Sequence, residues 1–310
     1  MTAARPTTGR RGDRGAALIE FALVSLVLYL LIGAVIELGR VVFAAQLGQS
    51  AARTAARELA LTPLPADLTL AEALADPVVR ATVYDEDLLV LDLAALPEGV
   101  PLADVASLLP PVNRVLLPLM ISDRVGGIDV LRFPGALVSS ELGGPVSPLN
   151  PTGLTVRVPR VLERDGNGVE TIDFVRVIEE VLADPDDPLS GPFSVASSLI
   201  DDGDPTNDAL VGVAAVRVNI PVQAAALGAY RTGADPFAPN LDRPVLADDD
   251  GVVVVGDAPA GLFAGENLTY SGRYGLGRQF ALGQEIRPFR KLVRAQAVFR
   301  RERFAEQAAP

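Results

Sequence analysis

The chain has 310 residues, a formal net charge of −12 at pH 7, and neither cysteine nor histidine. These absences exclude disulfides, thiolate metal sites and catalytic patterns built on Cys or His. The acidic balance disfavours a nucleic-acid partner, which would need a basic surface. We therefore predict a protein that is not an enzyme, without catalytic, cofactor-binding or metal-binding residues. A hydrolase that works with two carboxylates alone is left open as an alternative.

The N-terminus is basic and is followed directly by an apolar run. Arginines at positions 5, 10, 11 and 14 precede Gly15, and no charged residue occurs from Phe21 to Ile36. With its apolar neighbours the run is about 22 residues, or about 33 Å of helix, which is enough to cross a bilayer core. Arginines before the span and an acidic chain after it predict a cytoplasmic N-terminus and an extracytoplasmic remainder.

Two glutamates, Glu20 and Glu37, bracket the apolar run. They are separated by about 260° around a helix, so they do not form a paired acid/base site. Arg40 follows Glu37 at the i,i+3 spacing that allows an ion pair on one helix face. Glu37 and Arg40 are therefore predicted to mark the boundary of the membrane span.

A helical pattern continues beyond the span. Small apolar residues recur at steps of three and four until Pro63 and Pro65, which cannot continue a helix. We predict one helix over residues 16–61. Its second half is interpreted either as the scaffold of a soluble domain or as a helix–helix seam in an assembly. The stripe consists of Val41, Ala44, Gly48, Ala51, Ala55 and Leu59.

Residues 62–151 are predicted to be an insertion rich in helices and loops. Helices are expected at 66–75 and near 102–109 and 112–120, and a strand or hairpin is expected at 83–93. The region 97–151 is rich in Pro and Gly. We interpret it as an insertion or a long loop wrapped on the domain.

Residues 152–310 carry mainly strand patterns. Alternation from Leu154, followed by turn chemistry at 165–168, predicts a hairpin that returns over 169–181. Further strands are predicted at 214–222 and 252–255, while 293–299 permits a strand or a helix. The fold class is therefore α+β: a long N-terminal transmembrane helix leads into a mostly antiparallel β-sheet extracytoplasmic domain. The predicted division is 1–15 (basic leader), 16–61 (helix), 62–151 (insertion) and 152–310 (β-rich domain).

Several acidic segments could suggest calcium. The segment 165–170 has the beginning of a calcium loop but lacks the third acidic ligand and the flanking helices of an EF-hand. A hairpin turn explains it without a metal. The acidic runs at 184–188 and 201–208 are interpreted as solvated loops, with weak calcium binding as the alternative. The run at 248–251 is interpreted as a turn before a strand.

Three segments together resemble the TadE-like family, the pilin-like proteins of tight-adherence pilus systems. They are 10–21, 36–40 and 51–58, so the resemblance covers roughly residues 10–60. It implies cleavage between Gly15 and Ala16 by a prepilin peptidase. It also implies that Glu20 neutralises the new amino terminus of a neighbouring subunit. For the ambiguous segment 293–299 it favours a strand.

The resemblance implies a pilin-like or pilus-assembly component of a tight-adherence (type IVb) secretion system. Such a protein would be a single-pass protein of the inner (cytoplasmic) membrane. Its partners would be the lipid bilayer, the prepilin peptidase and other pilin-like or secretion-system subunits, and not nucleic acid. The alternative is a signal-anchored extracytoplasmic binding or adhesion module that does not enter a filament.

Overall fold

The computed structural model describes residues 13–62, 76, 78, 82–96, 102–139, 147–166, 169–180, 213–223, 251–256, 262–263, 272–277, 279–281, 284–286 and 289–300. The predicted helix 66–75, the acidic runs at 184–188 and 201–208, and residues 248–250 lie outside these residues. The chain forms two compact units, Met1–Val42 and Phe43–Pro310.

The N-terminal element is one long helix, α1 (Asp13–Leu61). The predicted helix is confirmed, and it begins three residues earlier than expected. At its end, the backbone N–H and the side-chain hydroxyl of Thr62 both donate to the carbonyl of Glu58, at 2.8 and 2.7 Å. Pro63 follows, and its ring and missing N–H prevent another turn.

Short helices follow α1 in the unit Phe43–Pro310, which is called the soluble unit below. A 3₁₀ turn (Glu86–Leu89) leads into strand β1 (Val90–Asp92). The two helices predicted near 102–109 and 112–120 are confirmed as α2 (Leu102–Leu108) and α3 (Pro111–Leu116), and a 3₁₀ turn (Leu117–Leu119) extends α3. The segment 83–93 is thus partly a strand. Strand β1 pairs with residues 130–132 and does not form a local hairpin.

The prediction of a loop over 97–151 is wrong for its middle part, which contains three strands: β2 (Ile121–Val125), β3 (Ile128–Arg132) and β4 (Ala136–Ser139). Gly126 and Gly127 join β2 to β3 with φ of 57° and 87°. Positive φ at both central positions is characteristic of the type I′ turn of a two-residue hairpin. The resulting sheet has the antiparallel order β1-β3-β2.

A five-stranded sheet has the order β10 (Leu262–Phe263), β4, β5 (Leu154–Arg164), β6 (Glu170–Arg176) and β9 (Val252–Val254). The predicted hairpin is confirmed as β5 and β6, which pair antiparallel. The predicted strand at 252–255 is β9, and it runs parallel to β6. Strand β10 completes the other edge against β4.

A three-stranded sheet has the order β13-β8-β7. Its long pair is β8 (Val213–Gln223) with β13 (Arg290–Arg300), antiparallel from Arg290↔Gln223 to Arg300↔Val213. The ambiguous segment 293–299 is therefore a strand. Strand β7 (Ile178–Glu180) pairs with the other side of β8. A separate hairpin is formed by β11 (Gln279–Ala281) and β12 (Gln284–Ile286).

The core lies between these sheets and the C-terminal part of α1. Small helix residues pack with strand residues in one buried cluster that includes Ala51, Ala55, Val218, Ile220 and Ala295. A smaller cluster forms around α2 and the first sheet, with Leu88, Leu91, Val105, Leu109 and Leu131. The predicted α+β class with mostly antiparallel strands is confirmed.

A buried ion pair fixes the β2–β3 hairpin. The side chains of Arg132 and Asp123 are each 1% exposed, and Arg132 Nε lies 2.7 Å from Asp123 Oδ2. Arg132 also donates to the carbonyl of Gly135 at 2.7 Å, while Asp123 accepts from the backbone N–H of Arg124. A buried pair needs such additional hydrogen bonds to offset the cost of removing both charges from water.

Candidate functional site

The candidate site is the first part of α1, where large apolar side chains are exposed. Among the residues that the structure describes, one helix is long and apolar enough to cross a membrane, and none of its most apolar window is buried. Exposed apolar surface on this scale indicates a partner such as lipid or another protein. The exposed side chains include Leu18, Ile19, Phe21, Leu23, Val24, Leu26, Val27, Leu28, Tyr29, Leu30, Leu31, Ile32, Val35, Ile36 and Leu38.

The two residues of the predicted processing site lie inside the helix. Since α1 begins at Asp13, Gly15 and Ala16 are its third and fourth residues. The sequence had predicted that the helix begins only after this bond. The first four N–H groups of a helix have no intrahelical acceptor, and glycine is a poor helix former. The Gly15–Ala16 bond therefore belongs to the turn that unwinds most easily.

Glu20 lies five residues after Gly15, about 7.5 Å further along the helix axis. Its side chain is exposed, and its neighbours Ile19 and Phe21 are exposed apolar residues. A carboxylate in such surroundings would be costly in a bilayer without a compensating charge. The structure places Glu20 within about one and a half turns of the bond predicted to be cleaved.

Glu37 and Arg40 lie at the other end of the apolar run, one turn apart. Arg40 Nη1 is 3.7 Å from Glu37 Oε2, and both side chains are partly exposed. The sequence spacing predicted this contact. Partly exposed i,i+3 pairs contribute only a few tenths of a kcal/mol, so the pair marks a change of polarity rather than a strong anchor.

The second part of α1 has a different environment. Ala51, Ala52, Ala55 and Ala56 are fully buried against the sheet. At Gly48 an added Cβ would lie 2.5 Å from the Cδ1 atom of Ile220 and 3.2 Å from the Cβ atom of Ala295. The side chain of Gln49 donates to the carbonyl of Gln296 on β13 at 3.1 Å. Of the two interpretations of the stripe, the structure supports the one in which this part of α1 is the scaffold of the soluble domain.

Residues 15–57 match the family model described as TadE-like protein. The matched segment, hereafter the TadE-like segment, contains Gly15, Glu20, Glu37, Arg40 and the buried stripe of small residues up to Ala56. No curated protein and no solved structure matches the chain. The TadE-like segment covers 43 of the 310 residues, and its apolar first part indicates a single-pass membrane anchor.

Asp165 and Glu170 lie where strands β5 and β6 are connected. The backbone N–H of Val169 donates to Asp165 Oδ1 at 2.7 Å, and the N–H of Asp165 donates to the carbonyl of Val169 at 2.9 Å. Glu170 pairs with Arg164 across the hairpin. These contacts explain the acidic residues by the turn itself. Within the described part of the chain, no group of three or more acidic side chains is arranged to hold a metal.

A basic cleft is the feature that sequence reasoning missed. It has a volume of about 400 Å³ and lies among β5, β8, β13 and the turn at 272–277. The turn lies close to the backbone of Gly135. Gly275 has a φ of 72°, and a Cβ atom added there would be 3.4 Å from the carbonyl carbon of Gly135. The lining residues are Gly135, Pro159, Arg160, Val161, Pro221, Val222, Gly275, Leu276, Arg290, Lys291, Leu292 and Arg294.

The arginines of the cleft differ in how they are held. Arg160 forms a two-pronged pair with Asp173, and Arg290 donates to Gln223 Oε1 and to the carbonyl of Gly277, at 2.8 and 2.7 Å. Partial burial, followed by the charges of Arg160 and Arg217, lowers the pKa of Arg294 below its ordinary value. The sequence signal that could have indicated the cleft is the arginine-rich alternation of β13 around Lys291.

Proposed function

We propose that this protein is a pilin-like component of a tight-adherence pilus system, anchored in the inner membrane by the first part of α1. The observation that carries the proposal is that one segment combines a family match with exposed apolar surface. Residues 15–57 match the TadE-like family model, and their first part exposes a membrane-length set of large apolar side chains. Burying these side chains in lipid contributes free energy roughly in proportion to their apolar area.

The proposed orientation has the N-terminus in the cytoplasm and residues 62–310 outside it. The support is the charge distribution: four arginines stand before the span, whereas the whole chain has a net charge of −12. Basic residues are retained on the cytoplasmic side of a membrane. A reporter that is active only outside the cytoplasm should be active when fused after Pro310. Activity of a cytoplasm-specific reporter at the same position would contradict the proposed orientation.

The proposed maturation step is hydrolysis of the Gly15–Ala16 peptide bond by a prepilin peptidase. The bond lies in the first turn of α1, so the peptidase would have to unwind little structure to reach it. Hydrolysis would remove the basic leader and leave Ala16 with a cationic amino group. The carboxylate of Glu20 on a neighbouring subunit could then neutralise this group in the low-dielectric bilayer, where both charges are costly alone.

N-terminal sequencing of the membrane-extracted protein tests the maturation step. In cells that contain the peptidase, we expect a mature chain that begins at Ala16. A chain that begins at Met1 or Thr2 in those cells would remove this part of the proposal. Gly15→Leu should abolish the size shift, and Gly33→Leu, a matched substitution in the same helix, should leave it intact.

The role of Glu20 is tested by comparing two glutamates on one helix. Glu20→Gln should leave cleavage largely intact but reduce the amount of protein recovered in sheared surface filaments. Glu37→Gln makes the same chemical change at the other end of the apolar run and should affect recovery far less. Equal recovery of the two variants would show that Glu20 has no special role in assembly.

The second candidate function is a membrane-tethered binding module that does not enter a filament. The basic cleft favours it, because the cleft lies in the unit Phe43–Pro310 and outside the TadE-like segment. Recovery of the mature chain only in the membrane fraction, in cells that produce pili, would support this candidate over the first.

A further inference from the structure

A second groove lies between the second part of α1 and the C-terminal end of β13, and we call it the α1–β13 groove. Its volume is about 420 Å³, and it lies within the soluble unit. Polar side chains of α1 form one wall, and an aromatic side chain of β13 forms the other. The lining residues are Gln46, Gln49, Ser50, Arg53, Thr54, Arg57 and Phe299.

Two arginines on the helix side of the groove are available to a ligand. Arg53 and Arg57 are exposed and form no hydrogen bond or ion pair with any residue that the structure describes. Because they are four residues apart, they lie on the same face of the helix, about 6 Å apart along its axis. Both line the same groove, so one ligand can contact both. Two neighbouring positive charges favour a ligand that carries two negative charges.

The strand side of the groove is an open sheet edge. In the sheet β13-β8-β7, no strand of the described part of the chain pairs with the outer side of β13. The carbonyl of Gln296 accepts from the side chain of Gln49 on α1, so it points away from β8. Backbone direction alternates along an antiparallel strand, so the N–H and C=O of Val298 also point outward. Val298 and Phe299 are 42% and 38% exposed, so this end of the edge is accessible.

The open edge and the two arginines together favour an extended peptide as the ligand. Outward backbone groups of an edge strand bind an added strand through main-chain hydrogen bonds. In an extended strand, side chains at positions i and i+2 share one face and are about 6.6 Å apart, close to the axial separation of the arginines. Guanidinium groups bind carboxylates with two parallel hydrogen bonds. A groove of about 420 Å³ has room for a few residues of such a strand but not for a folded domain.

The strands of this chain do not carry that pattern themselves. Among the strands that the structure describes, β1 to β13, none has acidic residues at positions i and i+2. We propose that the α1–β13 groove binds an extended strand of a different protein. Acidic residues at i and i+2 of that strand pair with Arg53 and Arg57, and its backbone bonds to the outer edge of β13. The proposal goes beyond the pilin assignment and does not depend on it, because the membrane anchor is the first part of α1.

The test is a binding titration with the full-length chain in detergent micelles. The probe is the fluorescent peptide Thr-Val-Glu-Val-Glu-Val-Thr. One control peptide replaces both glutamates by glutamine, and another, Thr-Val-Glu-Val-Val-Glu-Thr, places the glutamates on opposite faces of the strand. We expect saturable binding of the probe and about tenfold or more weaker binding of both controls. Equal binding of the probe and either control would overturn the proposal.

Methylation of the peptide backbone distinguishes strand addition from attraction between side chains. A strand that joins β13 uses the N–H groups of only one of its two edges. One version of the probe carries N-methyl groups at odd positions, and another carries them at even positions. We expect one version to lose about tenfold or more in affinity and the other to stay within about threefold of the probe. Equal affinities of the two versions would contradict strand addition.

Protein variants locate the binding. Arg53→Gln and Arg57→Gln should each weaken binding of the probe by about tenfold. Arg124→Gln, which removes an exposed arginine from the β2–β3 hairpin, is the matched control and should change affinity by less than about twofold. Equal losses for the three variants would show unspecific attraction and contradict the proposal. Thermal midpoints verify that the variants are folded, and either groove variant provides the decision if the other is not.

The edge itself is tested by Val298→Pro. This substitution removes an outward N–H and no bond to β8, and proline is tolerated in edge strands at such positions. We expect an unchanged thermal midpoint and about fivefold or more weaker binding of the probe. Unchanged binding by the folded variant would contradict strand addition at this end of β13.

Two further measurements distinguish other occupants. A short oligomer of galacturonic acid carries carboxylates without a peptide backbone, so it should displace the probe only far above the probe's dissociation constant. Displacement at equal carboxylate concentration would mean that the groove binds acidic saccharides, and the peptide assignment would be wrong. Sedimentation of the full chain alone should show no self-association that the probe reverses. Such association would identify a second copy as the occupant and overturn the assignment to a different protein.

Discussion

The two parts of helix α1 have the same backbone conformation but differ in the size and exposure of their apolar side chains. Between Leu18 and Leu38 the large residues Leu, Ile, Phe and Val are exposed, whereas between Ala44 and Leu59 the small residues Ala and Gly are buried by strands. Small side chains allow a sheet to approach the helix closely, and large ones provide apolar area for a fluid surrounding. The size of the side chains, more than their hydrophobicity, distinguishes the exposed part of α1 from the part that packs against the strands.

The largest expected effect is a loss of stability in the soluble unit that leaves its membrane anchoring unchanged. Arg132→Met leaves the charge of Asp123 buried without its cationic partner and should lower the free energy of unfolding by about 3–5 kcal/mol. Arg124→Met, an exposed arginine on the same hairpin, should change it by about 0.5 kcal/mol or less. Chemical denaturation in detergent gives both values. Membrane association of both variants should remain, since the apolar part of α1 is untouched.

The next effect compares two glycines of α1. Gly48→Leu places a side chain against Ile220 and Ala295 and should destabilise the soluble unit by about 1–3 kcal/mol, the usual cost of overpacking. At Gly33 an added Cβ meets nothing within 4 Å, so Gly33→Leu should leave unfolding unchanged. Similar unfolding midpoints for the two variants would contradict the described packing of α1 on β8 and β13.

The smallest effect concerns the end of the apolar run. Arg40→Gln removes the ion pair with Glu37 and should change the free energy of unfolding by only about 0.5 kcal/mol, because the pair is partly exposed. The same denaturation experiment measures it. A loss of several kcal/mol would mean that the pair is an anchor of the fold, and the boundary between the two parts would then need another explanation.

Regular patterns made much of the fold predictable. Helix α1 followed from its apolar run and its small-residue stripe, and strands β5, β8 and β13 followed from alternation. Strands β2, β3 and β4 were missed because Pro and Gly interrupt the alternation there, and β1 was partly missed because it pairs with β3. Such non-local pairing leaves no local signal.

The sites were predictable to different degrees. The spacing of Glu37 and Arg40 predicted their contact, whereas the roles of Gly15, Ala16 and Glu20 come from the resemblance and remain predictions. The basic cleft could not be predicted, because Arg160 and Arg294 are far apart in the chain and only the packing of β5 near β8 and β13 brings them together.

The central claim, that the two parts of α1 have lipid and protein as their respective surroundings, can be tested directly because the chain contains no cysteine. Single spin labels at Leu30→Cys, Arg53→Cys and Ala55→Cys, in the full chain reconstituted in vesicles, report contact with oxygen and with a polar nickel reagent. We expect position 30 to contact oxygen but not nickel, position 53 to contact nickel, and position 55 to contact neither. Access of the nickel reagent to position 30 would contradict the account.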